Sequence, residues 1–164
     1  DLSDPKPMAW YGRRQCHHIC SVEATVSFDA LASDEAGLSV YLNHKHHYEI
    51  ALTRLEGVSH IILRRQIGTL KSIEKKVPYD AQAVTFKIEA DKENYQFYYK
   101  SHDTFEKIGE GETQYLTTEV GGYFTGNYFA LYATGHGEDA KSPAVFRTFR
   151  SEERRVGKQC RYRW

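Results

Sequence analysis

Three kinds of side chain are placed in this sequence where they could do chemistry: paired carboxylates, clustered histidines and cysteines, and aromatic rings beside glycines. Acids stand close together at Asp34 and Glu35, Glu110 and Glu112, and Glu138 and Asp139. Hydrolysis of a glycosidic bond usually needs two carboxyl groups straddling the scissile oxygen, one protonated and one ionised. These pairs sit in turn-like, polar contexts where solvation leaves both members ionised, so they read as loop ends. His44 and His46 share a face on an extended strand, a spacing some zinc sites use, with His47 beside them. No third ligand is evident, and all three read as solvated histidines of a strand connection. Cys16, His17, His18 and Cys20 point alternately to opposite sides of a strand and cannot converge on one ion. The residues therefore assign no catalytic group and no metal site.

The aromatic residues carry more. In the stretch from Glu119 to Gly135, Gly121 and Gly122 allow backbone angles that a Cβ would forbid, which swings Tyr123 and Phe124 outward before Gly126 starts a new strand. Rings presented on such a loop can stack on the apolar faces of sugars, and Tyr123 and Phe124 are the leading binding candidates. Beyond them, Phe129, Leu131 and Ala133 share one parity and Tyr128, Ala130 and Tyr132 the other, so one face is core and the other carries tyrosines. Tyr98, Tyr128 and Tyr132 are candidates for a second aromatic platform, with ordinary cross-strand packing as the alternative.

Strands must position these residues. Cys20 to Phe28 alternates apolar and polar side chains, as do Val84 to Ala90 and Tyr95 to Lys100. The turn residues Asp91 to Asn94 between the last two predict a hairpin. Further strands are expected at Leu38 to Asn43, Tyr48 to Arg54, Val58 to Arg65, Ile67 to Lys75, Tyr128 to Thr134 and Ala144 to Arg150. No stretch has helical periodicity, and many short strands joined by Gly, Asp and Asn turns specify an all-β sandwich.

The segment GGYFTGNYFALYATG resembles the closing segment of the concanavalin A-like β-sandwich at the C-terminus of glycoside hydrolase family 43 β-xylosidases. RRQ at Arg13 to Gln15, EAGLSVYLN at Glu35 to Asn43, the basic strand Leu63 to Gly68 and YQFYYKS at Tyr95 to Ser101 follow in that family's order, over Trp10 to Arg150. The resemblance implies a two-sheet jelly-roll that packs on a five-bladed propeller carrying the catalytic carboxylates, upstream in the same parent chain. It implies that the loop of Tyr123 and Phe124 reaches the mouth of the propeller's pocket, and that Arg13, Arg14 and Gln15 lie at the domain junction or bond a strand end. The substrate it implies is a xylo-oligosaccharide, hydrolysed by direct water attack with inversion and without a cofactor, although lectin-like sandwiches sometimes hold a structural calcium. Xylosidase and arabinofuranosidase parents both fit, as does a homo-oligomeric parent in the bacterial cytoplasm. Alone, the domain is expected to be inert. Two rivals stand beside this reading: a free-standing carbohydrate-binding or lectin-like module using the tyrosine platform, and a structural oligomerisation domain.

At 164 residues the chain fits one domain with a core between two sheets. It begins with Asp1 and shows no charged leader or long apolar run, so it reads as a fragment without a visible export signal or membrane span. The formal charge of zero conceals five basic residues, Arg154, Arg155, Lys158, Arg161 and Arg163, in the last eleven positions, which hold no acid. Without them 17 basic residues face 22 acidic ones, which disfavours nucleic acid as a partner. Residues 151–164 are accordingly read as non-native sequence appended to a sandwich of residues 1–150. Cys16 and Cys20 on one strand would stand about 13 Å apart, too far to bridge, and nothing demands an oxidising compartment.

Overall fold

The computed structural model describes residues 2–3, 9–31, 34–122 and 124–153. Its strands are β1 (Ala9–Arg14), β2 (Cys20–Ser27), β3 (Glu35–Asn43), β4 (His46–Leu55), β5 (Val58–Ile67), β6 (Leu70–Pro78), β7 (Ala83–Ala90), β8 (Asn94–Ser101), β9 (Thr104–Glu112), β10 (Tyr128–Thr134) and β11 (Val145–Glu153). They form a six-stranded sheet in the order β1-β10-β3-β4-β5-β6 and a five-stranded sheet in the order β11-β2-β7-β8-β9, with antiparallel pairing throughout. This is the all-β, two-sheet sandwich expected, consistent with a concanavalin A-like jelly-roll. Among the described residues no helix is long and apolar enough to cross a membrane.

The alternation in sequence becomes the core. Val22, Ala24 and Val26 of β2, Val84, Phe86 and Ile88 of β7, and Tyr95 and Phe97 of β8 turn inward. They meet Leu38 and Val40 of β3, Tyr48, Ile50 and Leu52 of β4, Ile61 and Leu63 of β5, and Phe129 and Leu131 of β10. Opposite parities on β2, β7 and β8 are polar and face solvent, as a sheet with one dry face requires. The predicted hairpin is present: Asp91 Oδ1 accepts from the Glu93 and Asn94 amides, both at 2.7 Å, and closes the turn between β7 and β8.

Strand β9 is absent from the sequence reading because Gly109 and Gly111 break its alternation, and packing explains both glycines. A Cβ on Gly109 would lie 2.5 Å from Leu63 Cδ2, and one on Gly111 would lie 2.6 Å from Tyr48 Cε2, so these glycines seat large side chains of the opposite sheet. Gly111→Val should cost about 1–3 kcal/mol through overpacking, a loss that a urea titration of the variant would show. Strand β1 also lies beyond the sequence reading, being an edge strand whose side chains are mostly exposed. The other edge of the same sheet, β6, is exposed almost along its length and carries Lys71, Lys75 and Lys76 before it ends at Pro78.

The outer face of the six-stranded sheet departs from expectation. Ser39, His47, Glu49, Ala51, Ile62 and Tyr132 all point away from the main core, yet each is at most 1% exposed. Here the reading of Asp34, Glu35, His46 and His47 as solvated connection residues is corrected, since all four are buried. Asp34 Oδ2 accepts from the amides of Lys141, at 2.8 Å, and Ser142, at 3.0 Å, which ties the β10–β11 connection to the start of β3. Glu35 begins β3, and His47 lies in β4 rather than in the preceding turn.

Candidate functional site

After β9 the chain makes a 3-10 turn at Thr113–Leu116 and a single helical turn, α1 (Thr118–Gly121). Gly122 ends that turn in the left-handed region, φ 72° and ψ 13°, with its amide donating to the Thr118 carbonyl. The next turn brings out Phe124, whose ring is 92% exposed. Gly126, at φ 72°, then returns the chain to β10. Tyr123 lies outside the described residues.

This loop is fastened at both ends. Asn43 Nδ2 donates to the Gly121 carbonyl at 3.3 Å, and Gly121 packs so closely on Leu42 that a Cβ would come within 2.3 Å of Cδ2. On the far side Arg14 Nη2 donates to the Thr125 carbonyl while its guanidinium sits 6.0 Å over the Tyr128 ring. The Gln15 amide donates to the Asn127 carbonyl at 2.9 Å. Arg14 and Gln15 thus hold the aromatic loop; Arg13, exposed like Arg14, pairs through its backbone with Phe129 on β10. A cavity of about 350 Å³ opens beside the loop, lined by Gln15, Tyr95, Thr117, Thr118, Gly126 and Asn127 among others. Tyr95 donates to Gln15 Oε1 and accepts from Asn127 Nδ2, both at 2.8 Å, and burial pushes its phenol up to about 12.

The structure separates the proposed tyrosine platform. Tyr98 lies on the solvent face of the five-stranded sheet and donates to Gln96 Oε1 at 2.8 Å. Tyr128 and Tyr132 lie on the outer face of the six-stranded sheet, because parity within a strand does not say to which sheet the strand belongs. Tyr132 is wholly buried and offers no surface to a ligand. Tyr128 instead joins Trp10 and Tyr41, with ring centroids 5.9 and 5.8 Å from the indole. Trp10 escaped the sequence reading because its strand shows no alternation of its own.

Two carboxylates do come together, and they are not among the pairs adjacent in sequence. Glu35 on β3 and Glu49 on β4 flank Arg64 on β5: Nη1 donates to Glu35 Oε1 at 2.7 Å and Glu49 Oε2 at 2.8 Å, and Nη2 to Glu35 Oε2 at 2.7 Å. The Tyr132 hydroxyl lies 2.6 Å from Glu35 Oε1 and 2.7 Å from Glu49 Oε2. His136 Nε2 stands 3.3 Å from Glu35 Oε2, and His47 Nε2 stands 2.8 Å from Glu49 Oε1. Burial alone would raise the Glu35 carboxyl, but bonds from His136, Arg64 and Tyr132 hold it well below the usual carboxylate range. Burial likewise opposes the Arg64 charge, and Glu35 and Glu49 override it, keeping the guanidinium above its ordinary value. Glu35 is thus held ionised near neutrality, and both carboxylates are sealed from substrate, so this cluster cannot reach a glycosidic bond. Among the described residues no group of His, Cys, Asp and Glu is arranged to hold a metal ion. Cys16 and Cys20 are in no disulfide, and Cys20 Sγ donates to the His17 carbonyl at 3.2 Å.

A family model described as the β-xylosidase C-terminal concanavalin A-like domain matches residues 1–152. The chain is 28% identical over 144 residues to a non-reducing end α-L-arabinofuranosidase of Bacteroides ovatus, covering 86% of this chain and 27% of that protein. Among solved structures, a Bacteroides ovatus protein titled Xyloglucan PUL GH43B superposes with a TM-score of 0.81 at 28% identity over 87% of this chain and 29% of that one. A xylan β-1,4-xylosidase from Bacillus halodurans C-125 superposes with a TM-score of 0.85 at 20% identity over 93% of this chain and 31% of that one, a likeness of fold. This chain spans less than a third of the length of each of these relatives.

Proposed function

Because the chain belongs to the β-xylosidase C-terminal concanavalin A-like domain family, the accessory sandwich of family 43 glycoside hydrolases, we propose that it walls the substrate pocket of a catalytic propeller in the same parent chain. One observation carries this reading: Phe124 is 92% exposed on a loop that Arg14 and Asn43 hold in place. A loop fastened to a rigid scaffold is where binding side chains are usually carried, and this one holds a large ring out where a neighbour can meet it. A sugar face is suitable, since a ring and the C–H groups of a pyranose exclude water from each other. The parent would cut xylose or arabinose units from chain ends, in the cytoplasm of a bacterium, and the wall would exclude long chains and favour exo action. Among the described residues no acid–base pair faces solvent, which supports the reading that the chain alone is inert.

The test is hydrolysis of nitrophenyl xyloside and nitrophenyl arabinofuranoside by this chain alone and joined to the domain encoded directly upstream. Turnover is expected only in the joined protein. There Phe124→Ala should lower kcat/KM roughly two- to tenfold, the worth of one lost aromatic contact, and leave the melting temperature unchanged. Turnover by the sandwich alone, or unaltered kinetics in the variant, would refute the proposal. Binding of xylohexaose by the isolated chain, unaffected by Phe124→Ala, would instead favour a free-standing sugar-binding module.

A further inference from the structure

We propose that the outer face of the six-stranded sheet is a recognition slot for a peptide turn bearing an aliphatic side chain followed by a hydroxyl residue, and that its resident occupant is the chain's own Leu2 and Ser3. The slot is legible in one row of cross-strand neighbours. Tyr132 on β10 pairs with Gly37 on β3, Gly37 with Ala51 on β4, and Ala51 with Ile62 on β5. The middle two positions carry no side chain and a methyl group, and the flanking two are large, so the row forms a pit with a phenol ring at one end and an isoleucine at the other. Leu2 occupies it at 0% exposure, in an apolar cluster with Ala51, Ile62 and Tyr132 that is separate from the main core.

Polar contacts set the register of the occupant. Ser3 Oγ donates to Gln66 Oε1 at 3.3 Å and accepts from Lys71 Nζ at 3.3 Å, on β5 and β6 respectively. The pit also borders the ion cluster, because the Tyr132 ring that packs on Leu2 carries the hydroxyl that meets Glu35 and Glu49. Seating an aliphatic side chain there keeps water from those carboxylates, which makes occupancy and the order of the cluster one event. The slot rests on this chain alone. Its use in a parent rests on the function proposed above: a segment pinned to mid-sheet on its way into β1 would fix how the sandwich presents Phe124 to the domain before it.

The experiment uses the full chain carrying Leu2→Asp and a synthetic peptide of residues 1–8. Loss of Leu2 burial should lower the folded-to-unfolded ratio roughly ten- to a hundredfold while leaving the β-sheet circular dichroism intact. Added at about millimolar concentration, the peptide should shift the NMR signals of Ala51, Ile62 and Tyr132 and restore a slowly exchanging Tyr132 hydroxyl proton. A peptide carrying Leu2→Asp should do neither. If the Leu2→Asp chain does not fold, the full chain carrying the milder Leu2→Ala serves in its place, with the same peptides added. A folded protein whose outer-face signals ignore the peptide, or respond equally to the Leu2→Asp peptide, would overturn the slot. Neither result depends on sugar hydrolysis, so the slot and the pocket-wall proposal fail separately.

Discussion

Replacing Arg64 with methionine should cost the sandwich about 3–5 kcal/mol, a large share of the roughly 5–15 kcal/mol that keeps a domain folded. The side chain is 7% exposed and lies between Glu35 and Glu49, whose side chains are at 0%. Methionine fills similar volume, so the loss comes from charge: two carboxylates would remain in a dry site with the Tyr132 hydroxyl and two histidine rings for company. Urea titration of the variant measures it. The cause is checked by the triple variant Glu35→Gln, Glu49→Gln, Arg64→Met, which removes all three charges together and should regain much of the loss. Lysine cannot stand in for Arg64, because a single ammonium lacks the fork that reaches both oxygens of Glu35 and one of Glu49. A fully stable Arg64→Met protein would show that the cluster is solvated in solution.

Acid should unfold the protein through the same residues. The Glu35 carboxyl is lowered in the folded state relative to its unfolded value of 4.5. A group of that kind contributes stability in full above the unfolded value and loses it progressively as pH falls toward the folded one. Stability measured by urea titration should therefore be level at neutral pH, decline below about pH 5, and decline further toward pH 2. Glu35→Gln, though less stable at pH 7, should show a visibly shallower decline. Equal slopes in the two proteins would mean that other carboxylates govern the acid limb.

How much of this could be read from the chain depends on what period-two alternation encodes. It says which side chains share a face, and it placed Tyr128 to Thr134 and the hairpin about Asp91 to Asn94 where the strands lie. It says nothing of what lies opposite. Glu35 and Arg64 are 29 residues apart and meet because β3, β4 and β5 are neighbours, a fact of topology rather than of either segment. Read locally, Asp34 and Glu35 look like a polar loop end, and His47 looks like part of a turn. Phe124 was legible as an outward residue because the glycines around it are a local signal; the fastening of its loop at Thr125 by Arg14, 111 residues earlier, was not. Strand β9 stayed hidden for a related reason, since its glycines answer to Leu63 and Tyr48 on the other sheet.

Strand β6 bears on how these molecules behave when crowded. Its open backbone could template another copy edge to edge, and what guards it is a run of like-signed ammonium groups at Lys71, Lys75 and Lys76 with Pro78 as a stop. That guard is electrostatic rather than steric, so its range shrinks from about 10 Å at 0.1 M salt to about 3 Å at 1 M. Solubility of this domain is therefore sensitive to ionic strength and to lysine chemistry: acylation of Lys75 and Lys76, or brine, would weaken the rim without touching the core between the sheets.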